Sequence, residues 1–122
     1  ALEIEGPQSE LVHRWALPEA ESIPIALTLN ELLSNAFKHG GGQAPRCALI
    51  CGDNHVALRI SNAGRLPEGF QLSRVPGGVS GLGLVRALLP RRSAILSLEQ
   101  QEAQVVCLLE LLPPSVNLLA PL

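Results

Sequence analysis

Glu31, Asn35, Lys38 and His39 lie close together in the stretch NELLSNAFKHG (30–40). A carboxylate and a carboxamide one helical turn apart offer hard oxygen ligands about 6 Å apart along the axis. Mg²⁺ takes a few such oxygens together with water and substrate phosphates. A cation one turn further on can meet those phosphates. Thr28, Glu31, Asn35 and Lys38 are spaced three, four and three apart, which puts them on one stripe of a helix beside an aliphatic stripe. A solvated face is the alternative reading. Against it, Lys38 is the only lysine in the chain, and the stripe is bordered by Leu27, Leu32 and Ala36 rather than by further charge.

Two glycine-bearing stretches follow. In ISNAGRLPEGF (60–70), Asn62 stands two residues before Gly64 at the end of an alternating segment. In GGVSGLGLVRALL (77–89), Gly77, Gly78, Gly81 and Gly83 lead into an aliphatic helix pattern. Glycines at such a place let backbone N–H groups approach an anion, and a helix N-terminus favours negative charge. An ordinary turn and a flexible loop are the competing explanations. Other phosphate-binding loops do not fit. A Walker loop needs Gly-Lys before Ser or Thr, and the lysine is elsewhere. A dinucleotide fingerprint needs a glycine where Arg86 stands and a strand directly before the loop.

The elements that must carry these residues can be read from periodicity. Ile25, Leu29, Leu32, Leu33 and Ala36 recur at helical spacing, with Ser22 as the expected N-cap, Pro24 in the first turn and the glycines at 40–42 as the stop. RCALICGDNHVALRIS (46–61) reads as a hairpin turning at GDN (52–54). Strands are expected at 1–5, 10–16, 93–99 and 104–112, a loop over 62–81, and a short helix over 82–89 stopped by Pro90. This order predicts an α+β fold, a two-layer sandwich of a mixed, mostly antiparallel sheet with helices packed on one face. Residues 1–114 make one domain, and 115–122 a C-terminal tail.

Apolar residues form 47% of the 122-residue chain but aromatics only 2%, so the core must be aliphatic. Net charge is −2, which leaves no basic surplus for nucleic acid. No apolar run reaches the roughly 18–20 residues a membrane span requires, and none reads as a leader. Cys47, Cys51 and Cys107 are odd in number and irregularly spaced. They read as buried free thiols of a reducing compartment rather than as a disulfide or metal framework. The chain contains no Met, and the expectation is a piece of a longer protein.

Glu31-Leu-Leu-Ser-Asn35-Ala-Phe-Lys38-His39 resembles the N box of the GHKL, or Bergerat-fold, ATPases. Asn62-Ala-Gly64 and Gly81-Leu82-Gly83 are similar to the two glycine boxes, in the same order, and the likeness spans about residues 10–112. The short segment between the boxes and LPEGF resemble most the catalytic ATP-binding domain of bacterial sensor histidine kinases.

That resemblance implies ATP and Mg²⁺ as cofactors. It implies Asn35 as the metal ligand and Glu31 as the catalytic residue near the γ-phosphate. Lys38 and His39 would meet phosphates, and Gly64, Gly81, Leu82 and Gly83 would lie against the nucleotide, with 65–80 as a lid. The family usually has Asp where this chain has Asn62. Asn62 keeps the carbonyl acceptor for the adenine amino group and adds an NH₂ donor, at a loss of about 1 kcal/mol of charge-assisted bonding. None of His13, His39 and His55 reads as a phospho-acceptor, so the acceptor is expected on an upstream dimerisation domain. A response regulator is the indirect partner. A cytoplasmic, monomeric domain without membrane contact is implied. An anti-sigma-factor-type serine kinase of the same superfamily and a nucleotide-blind interaction module are the alternatives.

Overall fold

The computed structural model describes residues 2–7, 15–39, 44–66, 68–70, 93–113 and 116–118. The strands are β1 (Leu2–Glu5), β2 (Trp15–Ala16), β3 (Arg46–Cys51), β4 (Val56–Ala63), β5 (Ala94–Gln101), β6 (Gln104–Leu111) and β7 (Asn117–Leu118), and the helix is α1 (Glu19–His39). Five strands form one sheet in the order β1-β3-β4-β6-β5. β1 and β3 are parallel, and every other pair in that sheet is antiparallel. Parallel neighbours need a crossover, and α1 supplies it across one face. The fold is therefore the expected α+β arrangement, a mixed, mostly antiparallel sheet with a helix packed on one face. The helix expected at 82–89 lies outside the described residues.

The hairpins follow their local chemistry. Gly52 N donates to His55 O at 2.9 Å, closing the turn between β3 and β4 where GDN predicts it. A side chain at Gly52 would run into the His55 ring. The second hairpin is tighter than its QQEAQ composition suggests. β5 continues to Gln101, leaving Glu102 and Ala103 as a two-residue turn with Glu102 at φ 56°.

α1 starts earlier than expected. Pro18 O accepts from Glu21 N at 2.9 Å and from the Ser22 hydroxyl at 3.2 Å, so Pro18 rather than Ser22 opens the helix. Glu19 and Glu21 then lie in the first turn, where the helix dipole favours negative charge. Pro24 falls inside the helix rather than in its first turn, and its missing N–H removes one intrahelical bond.

The strand expected at 10–16 is described at Trp15–Ala16, which pairs with β7; residues 10–14 lie outside the description. Val116, just before β7, is buried against Ile25, Leu109 and Leu111, so residues 116–118 join the packed body. Among the described residues no helix is long and apolar enough to cross a membrane.

The core is aliphatic and sulfur-bearing, as an aromatic-poor chain requires. Cys47, Ile60 and Cys107 form one row across β3, β4 and β6. The cysteines are unpaired; Cys51 and Cys107 are buried and Cys47 is half-buried. Burial pushes the Cys107 thiol from its ordinary 9.0 up to about 12 and raises Cys51 as well. Between those values the unfolded chain releases the Cys107 proton while the folded chain keeps it. The stabilisation is complete below about 9.0 and is lost as pH rises toward about 12. The chain has no Tyr and a single Lys, so few other side chains titrate there. Urea unfolding is expected to show stability falling by up to about 1.4 kcal/mol per pH unit from Cys107 above pH 9.0. Cys107→Ala should flatten this slope, and an equal slope in both proteins would contradict the assignment.

Candidate functional site

The seam between α1 and the sheet sets where every helix side chain points. Ile25 packs near Leu109 and Leu111, while Leu32 and Ala36 pack with Ile60 and Cys107. Because β6 runs from Gln104 to Leu111, α1 runs antiparallel to it and along β4. The C-terminal half of α1 is thus carried toward the C-terminal end of β4. Strand alternation puts Asn62 on the same face as Ile60, one pleat further along. Asn35 and Lys38 on the helix and Asn62 on the strand therefore occupy the same end of the same face.

Around the helix, Asn35, Glu31 and Lys38 fall on one flank, roughly 60–120° from Leu32 at 3.6 residues per turn. Glu31 and Asn35 are half-buried and Lys38 is exposed, so the three make a rim rather than a solvated stripe. Lys38 forms no ion pair among the described residues. His39 is the last residue of α1, one before Gly40. Thr28 departs from the expected stripe. It turns into the core, fully buried, and its hydroxyl has no hydrogen-bond partner. It stands three positions before Glu31, but at about 100° per residue it lies roughly 40° from Leu32, inside the edge of the apolar seam.

At the strand end, Asn62 is half-buried and its Nδ2 donates to Ala63 O at 3.2 Å. This leaves the carbonyl oxygen and one N–H of the amide for a ligand. Gly64 follows at φ 151°, a conformation that L side chains rarely adopt, and its N–H donates to Ala103 O at 3.0 Å. Gly81, Leu82 and Gly83 lie outside the described residues. One residue that the motifs did not single out also stands here. Gln100 bonds the backbone on both sides of the strand end, at Gly64 and Leu66 on one and at Glu102 and Gln104 on the other. Its position in an ordinary strand pattern gives no sequence signal of that role.

A polar concavity on the opposite side of the sheet, lined by Glu3, Arg46, Arg59 and Gln104 among others, holds none of these residues. Its arginines are already paired, Arg59 with Glu5 at 2.7 Å and Arg46 with Glu3 at 3.4 Å.

No protein-family model and no curated protein matches the chain. Solved structures do. The nucleotide-free catalytic domain of histidine kinase ThkA superposes with a TM-score of 0.66 at 21% identity, over 91% of this chain and 77% of that one. The fold is that of a histidine kinase catalytic domain. The blue-light-activated histidine kinase EL346 of Erythrobacter litoralis gives a TM-score of 0.60 at 17% identity, over 90% of this chain and 34% of its own. Histidine kinase AdeS of Acinetobacter baumannii gives 0.60 at 14%, over 93% and 54%. The chain thus spans about a third to a half of those two proteins. Within this histidine kinase fold, Thr28 is a polar group that the packed helix leaves unsatisfied. Thr28→Val keeps the shape and removes the unpaired hydroxyl. It is expected to raise unfolding stability by about 1 kcal/mol in urea titration with an unchanged m-value. A loss of stability would mean that the hydroxyl is satisfied in solution.

Proposed function

We propose that the chain is the ATP–Mg²⁺-binding catalytic domain of a sensor histidine kinase. It would present the γ-phosphoryl group to a histidine on an upstream dimerisation domain of its parent chain. What supports this reading is that the end of α1 carrying Asn35 and Lys38 packs toward the end of β4 that carries Asn62, in a fold shared with histidine kinase catalytic domains. Phosphoryl transfer is mainly a matter of positioning and charge neutralisation, so a few well-held groups suffice.

The donor set suits Mg²⁺. Asn35 contributes one half-buried carboxamide oxygen. Among the described residues no three His, Cys, Asp or Glu side chains gather into a cage. A single protein oxygen fits an ion that keeps waters and substrate phosphates as its other ligands. Asn35 would hold that ion, which would supply charge neutralisation at the phosphates. The roles of the chain's own groups follow from their places. Glu31, one turn before Asn35, orients a polar group at the γ-phosphate end. Lys38, exposed on the same flank, would meet phosphate charge, and His39 is assigned to the phosphates by its motif alone. Asn62 takes the adenine amino group on its carbonyl, and Gly64 lets the backbone turn beside the base. Gly81, Leu82 and Gly83 are assigned to the phosphates by their motif alone. A structure of ThkA in complex with the response regulator TrrA, similar to this chain with a TM-score of 0.56, supports a response regulator as the downstream partner.

The neutral Asn62 favours one second reading, a nucleotide-blind interaction module. Thermal unfolding separates the two. Mg-ADP or Mg-ATP at about 1 mM should raise the melting temperature while NADH does not. Asn35→Ala should weaken nucleotide binding about tenfold or more and abolish its Mg²⁺ dependence. Asn62→Asp should strengthen binding about fivefold, the equivalent of about 1 kcal/mol. Absence of any shift in the wild type and in Asn62→Asp would remove the nucleotide reading and leave the module.

A further inference from the structure

Asn62, Val105 and Gln100 form one row across β4, β6 and β5 on the face that α1 covers. The two polar residues flank a buried valine, about 10 Å apart across two strand spacings. The Gln100 amide does not reach Asn62 directly. Its Oε1 accepts from Leu66 N at 2.8 Å, and its Nε2, with two N–H groups, is within hydrogen-bond reach of three carbonyls, Gly64 O at 3.0 Å, Glu102 O at 2.9 Å and Gln104 O at 3.1 Å, so that one N–H is shared between two of them. One side chain thus ties the chain leaving β4 to the turn between β5 and β6. Gly64 is held at both ends of its residue, by Ala103 O at the N–H and by Gln100 at the carbonyl. The peptide just before it contains Ala63 O, the acceptor that orients the Asn62 amide.

We infer that Gln100 is a positioning residue for base recognition, acting on Asn62 through the Ala63–Gly64 backbone that it clamps. This inference rests on the nucleotide-binding reading. A carboxamide is needed because the clamp uses an acceptor and a donor at once. Glutamate keeps the acceptor for Leu66 N but sets a second acceptor against three carbonyls. Alanine removes both functions. The amide is exposed, so its loss should leave the core intact and be read in geometry rather than in global stability.

Two measurements on the full chain test this. Amide hydrogen exchange without nucleotide should show Leu66 exchanging about tenfold faster in Gln100→Ala, with Leu109 in β6 unchanged. The wild-type preference for Mg-ADP over Mg-GDP should fall about fivefold in Gln100→Ala, with the melting temperature of the free protein unchanged. Gln100→Glu should protect Leu66 better than Gln100→Ala yet fail to restore the base preference. Unchanged Leu66 exchange in Gln100→Ala overturns the clamp whatever the nucleotide result. Faster Leu66 exchange with an intact base preference overturns the positioning role. If the wild type binds neither nucleotide, the nucleotide reading and the base-recognition role fall together, and Leu66 exchange still reports the clamp separately.

Discussion

The burial of Leu32 and Ala36 against Ile60 and Cys107 is the contact on which the rest of the arrangement depends. A helix on a sheet has one strong rotational constraint, the direction of its apolar seam. Once that seam faces β4 and β6, Glu31, Asn35 and Lys38 have no freedom to choose their flank. Their half-buried-to-exposed gradient follows their angular distance to the seam. Ile25 against Leu109 and Leu111 fixes the second degree of freedom, the direction in which the helix runs. Together the two contacts turn a local spacing in the sequence into a shared end of the fold with Asn62.

The sheet does its part through register. Eight residue pairs join β4 to β6, from Val56–Leu111 to Ala63–Gln104. A slip by one residue would turn Ile60 away from the helix and Asn62 with it, because alternate side chains face opposite sides. The aliphatic row that holds register and the polar residue at its end are therefore one device. Thiols replace aromatic bulk in that row. Cys107 packs as a small apolar group, and its raised pKa reflects its burial, which disfavours the charged thiolate. The other face of the sheet is tied more loosely. Arg59–Glu5 and Arg46–Glu3 are partly to largely exposed pairs, each worth little beyond about 1 kcal/mol.

Much of this was legible from periodicity because the elements bury a single face. Ile25, Leu32 and Ala36 announce α1, and Val56, Leu58 and Ile60 announce β4. The turn at Gly52–His55 follows from residues that favour turns. What periodicity could not separate was the edge of the seam. Thr28 shares spacing with the polar stripe, yet a few tens of degrees decide between rim and core, and composition does not encode that angle. The helix start was displaced because a proline carbonyl can open a helix as well as a serine side chain can cap one. The burial of Val116 and the pairing of β7 depend on a partner, Trp15–Ala16, roughly a hundred residues away in the chain, beyond the reach of any local pattern. Gln100 was silent for a different reason. Its bonds go to backbone atoms, which carry no sequence signature.

Asn62 changes how binding energy would be shared across a nucleotide. With a carboxylate at this place, the adenine amino group meets a charged acceptor, and the base end contributes a charge-assisted bond. A carboxamide offers a neutral acceptor and must also be oriented, because its two ends differ chemically while those of a carboxylate do not. Part of that orientation is already supplied, since the donor end is engaged by Ala63 O and the carbonyl end is left for the ligand. The neutral residue thus trades strength for dependence on the backbone beside it. Under the proposed nucleotide reading, such a site would draw more of its affinity from the phosphate end, where Lys38 is exposed and Asn35 would offer the metal ligand. It would draw more of its base selectivity from the geometry of Ala63 and Gly64. Recognition at the strand end would then be a property of the hairpin that holds Asn62 as much as of the side chain itself.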